Sequence, residues 1–239
     1  MLIISISSAK GGVSKTTVTI NLAPAYVRQS KKVLMVDFDH NNNCTDYALR
    51  DIAVEDIEAR NLYHVLTGKK KIEDCIFHTS SGVDIIPATP MLSRIEVELA
   101  RDPGALLRFH SLLRRLDYDY IVIDTPPSIS FALTAALYAS EIVICPVSWS
   151  RWTIQGYSLL REECLMASQG SGTDIKLLAL PSMVTDIECE KLRAVDIWTT
   201  TKCHISRNLA IKNCGSSGSE LKKDSISWQQ FEALAKEIQ

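Results

Sequence analysis

The run Leu2-Ile3-Ile4-Ser5-Ile6-Ser7, followed at once by Ser8-Ala9-Lys10-Gly11-Gly12-Val13-Ser14-Lys15-Thr16-Thr17, decides the fold. The first part is an apolar strand pattern, and the residues after Thr16 have a helical one. A glycine-rich turn from strand to helix presents backbone N–H groups and a helix N-terminus to phosphate oxygens. The general phosphate loop reads G-x-x-x-x-G-K-S/T. Its lysine reaches the β- and γ-phosphates, and its hydroxyl binds Mg²⁺. Here the pattern is K-G-G-x-x-K-S/T, a deviant Walker A form with a second lysine, Lys10, ahead of Lys15. A surface hairpin is the other reading of a Lys-Gly-Gly turn, but two later motifs fit the same site.

Working outward, strand-like runs recur at Leu2–Ser7, Lys32–Asp37, Val83–Pro87, Tyr120–Asp124, Ile142–Pro146 and Leu177–Leu180. Several are nearly continuous in Ile, Val and Leu, as strands covered on both faces must be. Helical patterns lie between them at Thr16–Gln29, interrupted by Pro24, and at Leu106–Leu116 and Ile129–Ala139. The alternation predicts an α/β fold of the P-loop NTPase type, with a mostly parallel central sheet and helices on both faces. Ligands of such sheets bind at the carboxyl ends of the strands. Thr67–Lys71 reads as a turn with Gly68 as a helix stop, and Asn213–Lys223, rich in Gly, Ser and Lys, reads as a loop. No linker divides the chain, so a single domain over residues 1–239 is expected.

The 239 residues carry 46% hydrophobic and 23% charged side chains and a net charge of −2, so any nucleic-acid contact has to come from a local patch. Seven scattered cysteines without C-x-x-C pairs argue against a zinc site and for reduced thiols in a cytoplasmic protein. No signal-peptide pattern and no membrane-span-length apolar run is present.

Two carboxylate motifs complete the constellation. Val33-Leu34-Met35-Val36-Asp37-Phe38-Asp39 ends an apolar strand with two acids, at the edge where the phosphate loop also lies. A carboxylate there can hold Mg²⁺ through water or orient an attacking water, although a strand-end Asp can also cap the next element. Tyr120-Ile121-Val122-Ile123-Asp124-Thr125-Pro126-Pro127 is a Walker-B-type strand whose Asp124 can support the Mg²⁺ shell.

With these motifs the sequence resembles the ParA family of deviant-Walker ATPases, which includes the Soj-like partition proteins and sits beside MinD. Lys10–Thr17 matches the deviant loop. Asp37–Thr45 looks like the D-x-D-P-Q-x-N-x-T segment, and Tyr118–Pro127 like Y-D-x-I-I-I-D-T-P-P. Ser206-Arg207-Asn208 sits where the family has P-R-N beside the adenine, and Phe231–Glu237 resembles its C-terminal helix. The resemblance implies an ATP-dependent homodimer with ATP and Mg²⁺ as cofactors. Gly11, Gly12, Val13, Ser14, Lys15, Thr16 and Thr17 cradle the phosphates, and Ser206 and Asn208 lie at the base. The resemblance further implies that Lys15 would bind its own nucleotide and that Lys10 would reach across the dimer. On the same resemblance, Thr16, Asp39 and Asp124 would act at the metal, Asp39 also on the attacking water. Three departures stand out. Ser14 replaces a glycine, which is strained if its φ is positive and harmless if negative. His40-Asn41 replaces Pro-Gln, and Ser206 replaces Pro.

The resemblance further implies sequence-independent DNA binding by the ATP dimer, stimulation by a ParB-like centromere-binding partner, and a nucleoid-associated ATP state. The candidate DNA contacts are Arg193, Lys202, Arg207, Lys212, Lys222 and Lys223. The sequence starts at the first strand, so no N-terminal helix-turn-helix extension is expected. A MinD-like, membrane-cycling or cargo-positioning ATPase is the alternative. The last helix carries Glu232 and Glu237 among its apolar residues, so a packed helix is expected rather than a stable membrane anchor.

Overall fold

The computed structural model describes residues 1–102, 104–217 and 221–239, without the side chains at 212 and 215–217. Its seven strands are β1 (Leu2–Ile6), β2 (Val33–Asp37), β3 (Val83–Ile86), β4 (Tyr120–Asp124), β5 (Ile142–Val147), β6 (Lys176–Val184) and β7 (Ile205–Ser206). They form one sheet in the order β3-β2-β4-β1-β5-β6-β7, with every named pair parallel. All six strand runs read from the sequence are present. The two-residue β7 completes the far edge.

The apolar runs are continuous because both faces are covered. On β1, Ile4 and Ile6 enter the core under the helix Lys15–Val27, while Ile3 enters the core on the opposite face. The first face is closed by the helices Lys15–Val27, Leu209–Ser217 and Ile226–Glu237, and the second by Ala105–Leu113, Phe131–Ala139 and Thr153–Ser171. Small residues set the approach of Phe131–Ala139. The Ser5 hydroxyl, fully buried on β1, lies 2.5 Å from Ser140 Oγ at that helix's end.

The helix Lys15–Val27 runs through Pro24. Its Tyr26 stacks on Tyr120 with ring centroids 3.9 Å apart, and its hydroxyl donates to the Ile238 carbonyl at 2.7 Å. The C-terminal helix is thereby pinned to the sheet, with Trp228, Phe231, Leu234 and Ala235 buried. Ser225 caps it, accepting from the Trp228 N–H. Gly68, with φ of +69°, follows the short helix Leu62–Leu66 as its stop.

The stretch Asn213–Lys223 departs from the expected loop, because the helix Leu209–Ser217 covers its first part. Ile211 and Cys214, three residues apart, are buried in the core beneath Lys15–Val27, so tertiary packing overrides the weak helix preference of Gly and Ser there. All seven cysteines are free thiols, and Cys203 alone is not buried.

Candidate functional site

Register builds the site. Ile6 pairs with Asp124, and Asp124 pairs with Asp37 across β4 and β2. The chain leaving β1 therefore enters the phosphate-loop sequence beside two carboxylate-ended strands. Thr125 holds the junction, donating from its hydroxyl to the Ile6 carbonyl at 2.9 Å. Gly11 passes Pro127, whose Cβ lies 3.8 Å from where a Cβ on Gly11 would stand.

The loop takes two left-handed residues, Gly12 at φ +73° and Ser14 at φ +71°. Glycine accepts that conformation freely, whereas a residue with a Cβ loses about 1–2 kcal/mol there. Ser14 is thus the strained case of the two its sequence position allowed. Its hydroxyl donates to the Val13 carbonyl and lies 2.5 Å from Ser182 Oγ. Val13 is buried and Thr17 half-buried. Among the described residues, no hydrogen bond engages the backbone N–H groups of Gly12, Ser14, Lys15 or Thr16. They form a set of donors at a helix N-terminus, where the helix dipole also favours an anion.

Lys15 is only 7% exposed, and its Nζ donates to the Lys10 carbonyl at 3.2 Å. Burial lowers its pKa, opposed by the charges of Asp124 and Asp39. Among the described residues it belongs to no ion pair. A buried ammonium offered only a carbonyl is suited to an anionic ligand.

Asp124 is fully buried. Its Oδ2 accepts from Thr16 Oγ1 at 2.6 Å and its Oδ1 from Thr19 Oγ1 at 3.2 Å. Burial raises its pKa and the facing Asp37 raises it further, against the pull of Thr16 and Lys15. Asp37 is also raised by burial, but three donors oppose that shift. These are the Thr45 hydroxyl at 2.8 Å, the Thr45 N–H at 2.9 Å and the Asp39 N–H at 3.0 Å. The two acids of the β2 motif therefore separate in role. Asp37 organises the backbone of its own loop, while Asp39 stands free of the strand. Asp39 Oδ1 accepts from the Asn41 N–H at 3.0 Å and from Asn41 Nδ2 at 2.9 Å, with His40 Nδ1 at 4.0 Å. Of the two residues that depart from Pro-Gln, Asn41 holds Asp39 through both of these hydrogen bonds.

Lys10 does not project freely. Its Nζ donates to Ser150 Oγ at 2.9 Å, and Ser150 in turn lies 3.0 Å from Thr153 Oγ1. That loop, after β5, carries the exposed Trp149 and Trp152.

The segment Ser206–Asn208 is joined to the same edge through β6. The Arg207 N–H donates to the Val184 carbonyl at 3.0 Å. Ser206 donates its N–H to Gln230 Oε1 at 3.0 Å and accepts from Gln230 Nε2 at 2.6 Å. Asn208 Oδ1 accepts from the Ala210 N–H at 2.8 Å, at the start of the helix Leu209–Ser217. Ser206 and Asn208, the residues expected beside a base, thus bond here to the chain's own Gln230 and Ala210.

The basic candidates do not form one uniform patch. Arg207 is paired with Glu188 at 3.1 Å and also donates to the Met183 carbonyl. Arg193 donates to the Lys202 carbonyl, while the Lys202 N–H donates to Glu237 at 2.6 Å. Lys222 and Lys223 are exposed, and the Lys212 side chain lies outside the described residues.

Three site residues were not singled out in the sequence: Thr19, Ser150 and Ser182. Thr19 carried a usable signal, since it lies one helical turn beyond Thr16 and on the same face. Ser150 and Ser182 carried none, being far from their partners along the chain.

Residues 1–176 match a family model described as an AAA domain. The chain is 30% identical over 227 residues to the chromosome partitioning protein ParA of Myxococcus xanthus, covering 90% of this chain and 79% of that one. It is 32% identical over 206 residues to the chromosome-partitioning ATPase Soj of Thermus thermophilus, covering 86% and 78%. Among solved structures, a putative plasmid partition protein from Borrelia burgdorferi bound to AMPPNP superposes with a TM-score of 0.83 at 23% identity, covering 99% of this chain and 98% of that one.

Proposed function

The chain belongs to the ParA/Soj-like family of P-loop ATPases, and from that premise we propose that it is an ATP-dependent dimer that binds DNA without sequence preference and moves a plasmid or chromosomal cargo. The observation that carries the reading is the meeting of Lys10, Lys15, Thr16, Asp39 and Asp124 at one edge of the sheet. Lys15 and the loop N–H groups bind the β- and γ-phosphates. The residues also fit a hard cation. Thr16 and Asp124 present oxygen donors 2.6 Å apart, and Mg²⁺ typically takes few protein ligands and keeps water. When bound, Mg²⁺ neutralises charge on the phosphates. Asp39, held from one side by Asn41, orients the attacking water.

Lys10 acts across the dimer in this reading, leaving Ser150 to reach the partner's nucleotide. Dimerisation doubles the basic contacts offered to one duplex and switches DNA binding on, because linked weak sites gain through effective concentration. A ParB-like partner accelerates hydrolysis. The burial of Trp228, Phe231 and Leu234 favours this over a helix lying on lipid, since those apolar groups are already used in the core.

The test is co-sedimentation with ATP or ADP on unrelated duplexes and on anionic liposomes. Binding to all duplexes with ATP, weak binding with ADP and a steep fall with salt are expected, because phosphate contacts release counterions. Equal DNA binding with both nucleotides refutes the switch, and tight liposome binding without DNA binding favours the MinD-like alternative.

A further inference from the structure

We propose that Ser182 is a positioning residue of the phosphate loop, holding Ser14 in the left-handed conformation that this chain reaches without glycine. The inference rests on the phosphate-loop reading of residues 10–17.

Ser182 lies on β6, is 1% exposed and is 168 positions from Ser14, yet the two hydroxyls stand 2.5 Å apart. Ser14 gives one hydrogen bond to the Val13 carbonyl, a local contact that does not by itself select the loop's path. The contact with Ser182 does, because it ties the loop to the sheet. A freed Ser14 relaxes toward negative φ, which turns the following N–H groups away from a common anion.

The strand is shaped to make this contact. Leu178 and Leu180 face the core under Lys15–Val27, and Ala179 faces the opposite core, in ordinary alternation. Ser182 continues the first series. The pairing with β7 is then irregular between Ser182 and Val184, and Met183 takes φ +56°. Val184 consequently joins the opposite core. The bulge thus ends the alternation one residue after Ser182, as bulges do where a side chain is aimed. It is braced by Arg207, whose Nε donates to the Met183 carbonyl at 3.2 Å while Glu188 holds its guanidinium. The same brace seats the Ser206–Asn208 segment, so one bulge sets both the phosphate loop and the base-side loop.

The test is a double-mutant cycle on the full chain, read as ATP affinity in Mg²⁺. Ser182→Ala is expected to weaken ATP about fivefold, the size of one lost hydrogen bond. Made in a Ser14→Gly background, the same replacement should shift affinity less than twofold, because glycine takes the conformation unaided. Ser182→Thr, which keeps the hydroxyl, should restore binding. From the other side, Ser14→Ala, which keeps Cβ and loses the hydroxyl, should bind ATP about fivefold more weakly than Ser14→Gly. That comparison leaves the buried strand untouched, so it decides the matter even where Ser182→Ala folds poorly. An equal loss from Ser182→Ala in both backgrounds, or equal affinity of Ser14→Ala and Ser14→Gly, overturns the proposal. If Lys15→Ala also binds ATP normally, the phosphate-loop reading itself has failed. If Lys15→Ala is impaired, only the role of Ser182 has.

Discussion

Replacing Lys15 by Ala tests the site most directly. The ammonium is 7% exposed, donates among the described residues only to the Lys10 carbonyl at 3.2 Å, and has its pKa lowered by burial. A phosphate oxygen near 4 Å interacts with such a charge by roughly 4 kcal/mol at an effective dielectric of about 20. Truncating one member of a buried, hydrogen-bonded charge pair costs about 2–5 kcal/mol. The expected loss of ATP affinity is therefore about 30- to 4,000-fold. Without nucleotide, two effects oppose each other. A buried charge is removed, which helps folding, but Asp124 and Asp39 lose a favourable neighbour. Thermal stability of the free protein should thus move by less free energy than ATP affinity does. Isothermal titration with ATP and Mg²⁺, beside a denaturant melt of the same variant, reads both quantities. Affinity within threefold of wild type, or a loss of stability as large as the loss of affinity, refutes the assignment of Lys15 as the phosphate cation.

Asp39→Ala should still bind ATP and dimerise but release phosphate about a hundredfold more slowly, the lower end of what a positioned acid–base group contributes; normal turnover in a phosphate-release assay removes Asp39 from the mechanism. Lys10→Ala, which removes the ammonium now held by Ser150, should bind ATP yet remain monomeric by light scattering, and a stable ATP dimer would remove Lys10 from the cross-dimer role. Phe231→Ala, at a fully buried position on the C-terminal helix, should cost about 3–5 kcal/mol in a urea titration, and a negligible change would mean the helix leaves the core readily.

What the sequence made legible follows from which contacts are local. The strands that carry the site are buried on both faces, so their composition alone marks them, and Asp124 is recognisable as the first polar residue after Ile121, Val122 and Ile123. Lys10 through Thr17 is legible because a strand, a glycine turn and a helix follow one another without a gap. β7 was not, since two residues paired to a bulged strand leave no apolar run. The helix Thr153–Ser171 is hard to read from the sequence although Thr153, Tyr157, Leu160, Cys164 and Ala167 recur at alternating spacings of four and three, because the polar residues between them dilute the pattern. The phosphate loop itself marks the boundary. Its glycine and lysines state its chemistry, but whether serine at position 14 is tolerable depends on φ, and that φ is held by a hydroxyl on a distant strand. Asp39 repeats the lesson in reverse. His40 and Asn41 cast doubt on its loop when read as departures from Pro-Gln, yet Asn41 supplies both hydrogen bonds that fix the carboxylate. A substitution inside a functional motif is therefore judged by the partner it gains. For Ser14 that partner lay 168 residues away, and for Asp39 it was two residues along the chain.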